Sequence, residues 1–405
     1  MVRKSVQDWF AFYLPTRVVH GANCVRQTAV EFRYQGGTKA LVVSDQGVKK
    51  AGLVNSVLEV LKQERIPFVL FDEVEEDPGG RTVERGAAIA SKEKCDGIVV
   101  VGGGSPMCAA RGIGIVVTNG GRIEDYVGLN KASNPPLSLV AIPTTAGSGS
   151  EVSQYIILKD ERKHVKMVIG SPLYFPKVAI LDPMLLRTLP FGPAASAGVD
   201  ALSHAIEATL TTLATPITDG LALRAVDLLY HNLRAACCSE DLDAKEACLI
   251  GSTMANMACG NALLGLAHTM TIPVEGMFKI SHGSDLGILL PRVMKFNLPA
   301  SHARFAALAR AMGEPGAGRS EEDLASCALL RVKGLLSDLG LPQTYSDSQV
   351  NPGAIPEMAR VVAGGVYDEY DPARQFTMDS PVPSVNIRKA TLKEIIDLYE
   401  ECFQA

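Results

Sequence analysis

The sequence predicts an α/β half built on a parallel sheet, residues 1–188, followed by an all-α half, residues 189–405. Three observations carry that expectation. Short β-branched runs alternate with amphipathic helical stretches early in the chain, the strand pattern then fades, and 405 residues exceed what one hydrophobic core ordinarily serves. In chain order, ALVVS (40–44) leads into a helix through GLVNSVLEVLKQE, and PFVLF (67–71) into one through RTVERGAAIASKEK. GIVVV (97–101) runs into a glycine turn, and LSLVAI (137–142) into a second. Strands that are apolar throughout have both faces covered, the condition of a parallel sheet flanked by helices. The proline-bearing segment 183–193 marks the boundary between the halves. Beyond it, helices are expected over 196–210, 216–236, 242–265, 301–313, 321–339, 353–365 and 391–402, with 314–320 and 379–386 as loops.

Composition narrows the function classes. Hydrophobic residues make up 47% and charged residues 20%, as in a well-buried globular protein. A net charge of −5 argues against nucleic acid or an anionic membrane surface as partner, since both select a basic face. No uninterrupted apolar run approaches the ~20 residues that span a bilayer. The first residues show no apolar core followed by a cleavage site, so no secretory leader is expected. The nine cysteines are odd in number, scattered and never in CxxC, which fits reduced thiols in a cytoplasm. Adjacent Cys237 and Cys238 read as packing residues.

Two turns suggest a nucleotide. Gly102, Gly103, Gly104 and Ser105 follow a buried strand and precede a helix, where chain lacking Cβ atoms brings its amides close to a pyrophosphate. The second turn, AIPTTAGSGSEVS, is crowded with hydroxyls and glycines and also follows a strand. Ligands of parallel sheets lie beyond the carboxyl ends of the strands, so paired turns strengthen the reading. Neither turn is GxGxxG and no GxxxxGK[ST] occurs. Asp45, ending the strand ALVVS, reads either as an acceptor for an adenosine ribose, favouring NAD(H) over NADP(H), or as a helix cap.

A second constellation suggests a metal. Asp200 and His204 stand four apart in GVDALSHAIEA, a stretch with the apolar period of a buried helix, so both project from one face. His268 in GLAHTM and His282 in KISHGSDLG lie downstream, fourteen residues apart. One carboxylate and three imidazoles suit Fe²⁺ or Zn²⁺ better than Mg²⁺ or Ca²⁺, which prefer all-oxygen shells. Taken singly, each histidine is equally a core or surface residue.

GGGSPMCAA, IPTTAGSGSEVS, LDPMLLRTLP, GVDALSHAIEA, GLAH and SHG occur in this order from about residue 10 to 400. In that combination the chain resembles the iron-containing, group III alcohol dehydrogenases, relatives of glycerol dehydrogenase, maleylacetate reductase and dehydroquinate synthase. The resemblance implies a dehydroquinate-synthase-like architecture: an N-terminal Rossmann-like domain and a helical C-terminal domain, with NAD and Fe²⁺ (Zn²⁺ also compatible) in the cleft between them. It places Asp200, His204, His268 and His282 on the metal ligands, and Gly102, Gly103, Gly104 and Ser105 on the pyrophosphate turn. Thr144, Thr145, Gly147 and Ser148 fall on a second cofactor loop, Asp45 on the ribose position, and Lys166 beside the nicotinamide as a catalytic and cofactor-binding residue. His268 and His282 act catalytically through the metal, and Glu207 matches a supporting or structural glutamate. The implied reaction is hydride transfer between NAD and a small primary alcohol, diol or aldehyde, with the ion as Lewis acid, in a homodimer or larger homo-oligomer.

Four departures from the family pattern stand out. Cys108 replaces a common Asp and Arg111 a common Lys, and Ile272 replaces a histidine one turn after His268 that serves proton handling. Arg292 stands where a histidine is usual, and reads as a surface cation or as part of the cleft rim. Without a histidine at 272, the proton is expected to leave by water, the ribose hydroxyls, Thr271 or Ser281. Maleylacetate reduction, glycerol-dehydrogenase-like polyol oxidation and a dehydroquinate-synthase-like lyase are alternatives on the same scaffold. Near the ligands, segments 196–210 and 260–290 hold only Lys279 as Lys or Arg, which disfavours a polyanion lyase. A metal- and nucleotide-binding protein with lost catalysis is the non-enzymatic reading.

Overall fold

The strands that bear the first glycine turns lie side by side at the centre of the sheet. The computed structural model describes residues 10–160, 165–346, 348–364 and 385–404. Strands β1 (Arg17–His20), β2 (Ala40–Asp45), β3 (Phe68–Val74), β4 (Gly97–Gly102), β6 (Ser138–Pro143) and β9 (Val178–Leu181) form a parallel sheet in the order β1-β9-β6-β4-β2-β3. β4 pairs with β6 from Gly97↔Ser138 to Gly102↔Pro143, so the two turns leave the sheet next to each other. The strands β5 (Gly128–Leu129), β7 (Tyr155–Asp160) and β8 (Val165–Gly170) make a small separate sheet, order β5-β8-β7.

Continuous apolar strands serve two faces. Ala40, Val42, Val99 and Val101 pack on one side with α1 (Thr28–Tyr34) and α3 (Leu53–Gln63). Leu41, Val43, Ile98 and Val100 pack on the other with α4 (Gly80–Glu93) and α5 (Gly104–Asn119). Alternate side chains of a strand point to opposite faces, so β2 is apolar throughout Ala40–Val43 and β4 throughout Ile98–Val101. A short helix, α2 (Gln46–Lys50), follows β2.

The second half is helical: α6 (Phe191–Thr209), α7 (Pro216–Cys238), α8 (Leu242–Ala262), α9 (Leu266–Met277), α10 (His282–Asn297), α11 (His302–Ala311), α12 (Glu321–Asp338), α13 (Ile355–Gly364) and α14 (Leu392–Glu401). The apolar core on the β1-proximal face runs unbroken through Leu181, Leu185 and Ala195 into Val199 and the helices beyond. The expected fold class, a parallel α/β half and a helical half, is therefore the one observed. Among the described residues no single helix is long and apolar enough to cross a membrane.

Five strands escaped the sequence reading. β1 and β9 have four residues each, and β5, β7 and β8 belong to the small sheet. The helix expected over 242–265 ends at Ala262 because Leu263 takes φ +59°, and the chain turns by 98° into α9. α9 and α10 themselves, each containing a proline, were not expected as helices. Most of the loop expected over 379–386, and residue 365 of the helix expected over 353–365, lie outside the described residues.

Candidate metal centre and cofactor cleft

Helix α6 carries Asp200 and His204 one turn apart on one face, α9 begins with His268 near its N-terminus, and His282 is the first residue of α10. Gly283 lets α10 start against α6: a Cβ there would lie 2.3 Å from the Ser196 carbonyl oxygen. Its amide donates to Ser196 Oγ at 3.2 Å. His282 is thereby brought to Asp200.

The three imidazole Nε2 atoms converge on one oxygen. Asp200 Oδ1 lies 3.4 Å from His204 Nε2, 3.5 Å from His268 Nε2 and 3.3 Å from His282 Nε2. Two donors set tetrahedrally at ~2.1 Å from one ion stand about 3.4 Å apart, so the spacing is that of ligands sharing an ion. Asp200, His204 and His268 alone already form a group whose donor atoms lie within 4.8 Å of one another.

The rings are aimed from behind. His268 Nδ1 meets Glu207 Oε2 at 2.5 Å, and His282 Nδ1 meets Glu275 Oε1 at 2.5 Å. A carboxylate at Nδ1 holds the proton there and leaves Nε2 with its lone pair free, the tautomer a metal ligand needs. His204 Nδ1 is buried without a hydrogen-bond partner, and that ring stacks on His268 at 4.7 Å and 16°.

Electrostatics favour a cation here. Burial pushes the Asp200 carboxyl up, yet electrostatic attraction to the imidazoles of His204 and His282 with hydrogen bonds from His268 and His282 prevails and holds it well below the usual range. Burial drives His204 down to about 4. Burial also lowers His268 and His282, but Asp200 and Glu207 raise the first, and Glu275 and Asp200 raise the second well above its ordinary value. Carboxylates that hold protons on imidazoles would equally hold a divalent ion. The donor set and its spacing thus fit Fe²⁺ or Zn²⁺.

The cluster lines a cavity of about 840 Å³. Gly103, Gly104, Ser105, Thr145 and Ser148 line another part of it. The turns face each other closely: a Cβ on Gly103 would lie 3.2 Å from Thr145 Oγ1, and one on Gly104 3.3 Å from Ser148 Oγ. Asn256 of α8 anchors the second turn, its Nδ2 donating to the Ser148 carbonyl at 2.7 Å. α5 starts at Gly104 with no side-chain cap, leaving its N-terminal amides available to an anion.

Not every expected residue reaches the cavity wall. Gly102, Thr144 and Gly147 stand behind it: the Thr144 amide donates to Gly102 O at 3.2 Å, and Gly147 abuts Ala197 of α6. Asp45 also lies off the wall, and its Oδ1 caps α2 by accepting from the Val48 amide at 2.8 Å. The structure therefore gives Asp45 the cap role.

The departures are accommodated individually. Cys108 lines the cavity, its sulfur accepting from the Ile157 amide at 3.4 Å and from Arg111 at 3.6 Å. Arg111 is fully buried and points away, donating to Ser153 O at 2.7 Å. Ile272 and Thr271 line the cavity beside His268, and Thr271 Oγ1 donates to His268 O at 2.9 Å. Ser281 caps α10, accepting from the Ser284 amide. Arg292 is not on the cleft rim: its guanidinium donates to the carbonyls of Ile288, Glu401 and Gln404, fastening the C-terminal segment to α10.

Lys166 lines the cavity from β8, where its Nζ donates to Asp77 Oδ1 at 2.6 Å and pairs with Glu275 Oε2 at 3.2 Å. Burial lowers the ammonium, but Glu275 and Asp77 more than offset this and raise it. Glu275 went unread in the sequence. It stands seven residues after His268 on the same helix, a spacing that shares a face and offered a signal.

Residues 15–183 match the model of the iron-containing alcohol dehydrogenases, and residues 194–403 match that of the Fe-containing alcohol dehydrogenase family, C-terminal. The chain is 36% identical to the 1,3-propanediol dehydrogenase of Citrobacter freundii over 97% of this chain and 99% of that one. It is 35% identical to the NAD-dependent methanol dehydrogenase of Bacillus methanolicus, over 86% of this chain and 92% of the other. A crystal structure of a 1,3-propanediol oxidoreductase superposes with a TM-score of 0.90 at 35% identity, covering 98% of this chain and all of that one, 100%.

Proposed function

The chain belongs to the iron-containing alcohol dehydrogenase family, and on that premise we propose that it interconverts a small primary alcohol or diol with its aldehyde by NAD(H)-linked hydride transfer. The observation that carries this reading is the convergence of three imidazole Nε2 atoms on Asp200 Oδ1 within the cavity that the glycine turn also lines. Asp200, His204, His268 and His282 would hold Fe²⁺, and Zn²⁺ fits the same donors. When bound, the ion supplies a Lewis acid for the substrate oxygen and the nicotinamide carries the hydride.

The chain's own residues do the rest. Glu207 and Glu275 fix the tautomer and direction of His268 and His282. The amides at the start of α5, with Ser105, Thr145 and Ser148, receive the pyrophosphate and position the reacting ring. Gly102, Thr144 and Gly147 support those turns from behind. Phe191, Leu263, Leu264 and Ile272 give the cavity an apolar wall that excludes water. Residues 1–188 act as the cofactor-binding part and 189–405 as the metal-binding part.

Lys166 is the one Lys or Arg among the described lining residues, and two carboxylates already hold it. That supports a neutral substrate over a polyanion, and so a dehydrogenase over a lyase. The nine cysteines are all unpaired, which supports a reducing compartment such as the cytoplasm.

The test follows NADH formation by metal-stripped protein given NAD⁺ and a panel of primary alcohols and diols, with and without Fe²⁺ or Zn²⁺. Turnover restored by the metal is expected. Silence across the panel with metal verifiably bound would sink the reading.

A further inference from the structure

We propose that Asp77, Lys166 and Glu275 form a positioning ladder that links the nucleotide turn to the ligand His282 and makes metal and nucleotide binding interdependent. The inference rests on the metal and cofactor reading above, which it deepens. Four consecutive contacts carry it. Ser105 Oγ, in the glycine turn, accepts from the Asp77 amide at 3.3 Å. Asp77 Oδ1 accepts from Lys166 Nζ at 2.6 Å, the same Nζ pairs with Glu275 Oε2 at 3.2 Å, and the other oxygen of Glu275 meets His282 Nδ1 at 2.5 Å. The rungs come from the β3–α4 connection, β8 and α9, so neither half of the chain contains the ladder by itself.

Its physical working follows from Lys166 standing between two carboxylates. Both Lys166 and Asp77 line the cavity, and the Asp77 side chain is 44% exposed while that of Lys166 is 8% exposed. An anion seated in the turn repels Asp77 and attracts the ammonium of Lys166. Drawing Lys166 toward the nucleotide frees Glu275 to accept more strongly from His282 Nδ1. A stronger acceptor at Nδ1 makes Nε2 a better donor to an ion. Nucleotide binding therefore tightens metal binding, and by linkage the metal tightens the nucleotide by the same factor.

Lys166 and Asp77 are thus positioning residues for His282 in addition to lining the cleft. The arrangement is distinct from Glu207, which reaches His268 and, among the described residues, makes no hydrogen bond to the turn.

The experiment titrates metal-stripped, full-length protein with Co²⁺ by calorimetry and by its visible spectrum, in the presence and absence of ADP-ribose. In the unaltered protein ADP-ribose should tighten Co²⁺ binding by about tenfold, within the usual range of coupling between sites. In Lys166→Met the factor should fall below about twofold, with Lys166→Arg retaining most of it. Asp77→Asn, at the exposed end where folding is not at stake, should reduce it in the same direction and keep the check available should Lys166→Met fold poorly. Equal coupling in Lys166→Met and the unaltered protein would overturn the proposal, as would no coupling in the unaltered protein. Failure of the unaltered protein to bind Co²⁺ at all would instead overturn the metal reading on which the proposal stands.

Discussion

Glu207 and Glu275 each meet the Nδ1 atom of one clustered histidine at 2.5 Å, yet one is sealed inside the helical half and the other opens onto the cleft. Glu207 reaches from α6 to the start of α9, accepting from the Ala267 amide at 2.8 Å and the His268 amide at 3.3 Å as well as from the ring. It serves as the cap that α9 lacks at Gly265, where a carboxylate also meets the positive end of the helix. Glu275 sits further along α9 and spends its second oxygen on Lys166. The histidine side chains follow suit, 8% exposed for His268 and 38% for His282. The difference teaches that one ligand is fixed by the fold itself, and the other by groups that also face the cofactor.

That contrast breaks most visibly at Glu207. Glu207→Ala leaves two backbone amides and one imidazole N–H without their acceptor, at about 1–3 kcal/mol for each buried donor. The expected outcome is a loss of roughly 3–9 kcal/mol in metal-free protein, read by chemical denaturation, together with loss of metal binding. Glu275→Gln should behave otherwise. Its amide oxygen still accepts from His282 Nδ1, so metal-free stability should change by under about 2 kcal/mol. Fe²⁺ or Zn²⁺ affinity should nonetheless fall by about 10–100-fold, because the charge behind the ligand is gone. Equal losses of stability in the two variants would mean that Glu275 is as much a part of the fold as Glu207, and the contrast would fail.

The sequence disclosed the closed region better than the open one, for a physical reason. Asp200 and His204 share a helix face by spacing alone, and Glu207, which the family resemblance singled out, follows in the same predicted helix. Lys166 meets Asp77 across 89 residues of sequence, on a strand that gave no recognisable pattern. Glu275 was hidden because α9 contains Pro273 and begins after a backbone kink at Leu263, so its helical extent went unread. The sheet was legible at β2, β3, β4 and β6, where apolar runs serve two cores, and illegible at the short strands β1 and β9. Arg292 illustrates the remaining limit. A cation in an apolar helix gives no hint that its partners are the carbonyls of the chain's last residues.

Asp45 sharpens the same contrast within a single carboxylate. Its Oδ1 is committed to the Val48 amide, a local duty of the kind Glu207 performs, whereas a ribose role would face the cofactor as Glu275 does. Two substitutions separate the duties. Asp45→Asn keeps an oxygen for the Val48 amide, so stability should change by less than about 0.5 kcal/mol, while Asp45→Ala gives up the cap at about 1 kcal/mol. Both remove one negative charge, which at several ångströms in water opposes a 2′-phosphate by about 1 kcal/mol, roughly fivefold in relative preference. If Asp45 faces the ribose, the ratio of kcat/KM for NADP⁺ over NAD⁺ should rise about fivefold in both variants. If the ratio holds in both while only Asp45→Ala loses stability, the residue is a cap alone. Cofactor choice would then lie with residues other than Asp45.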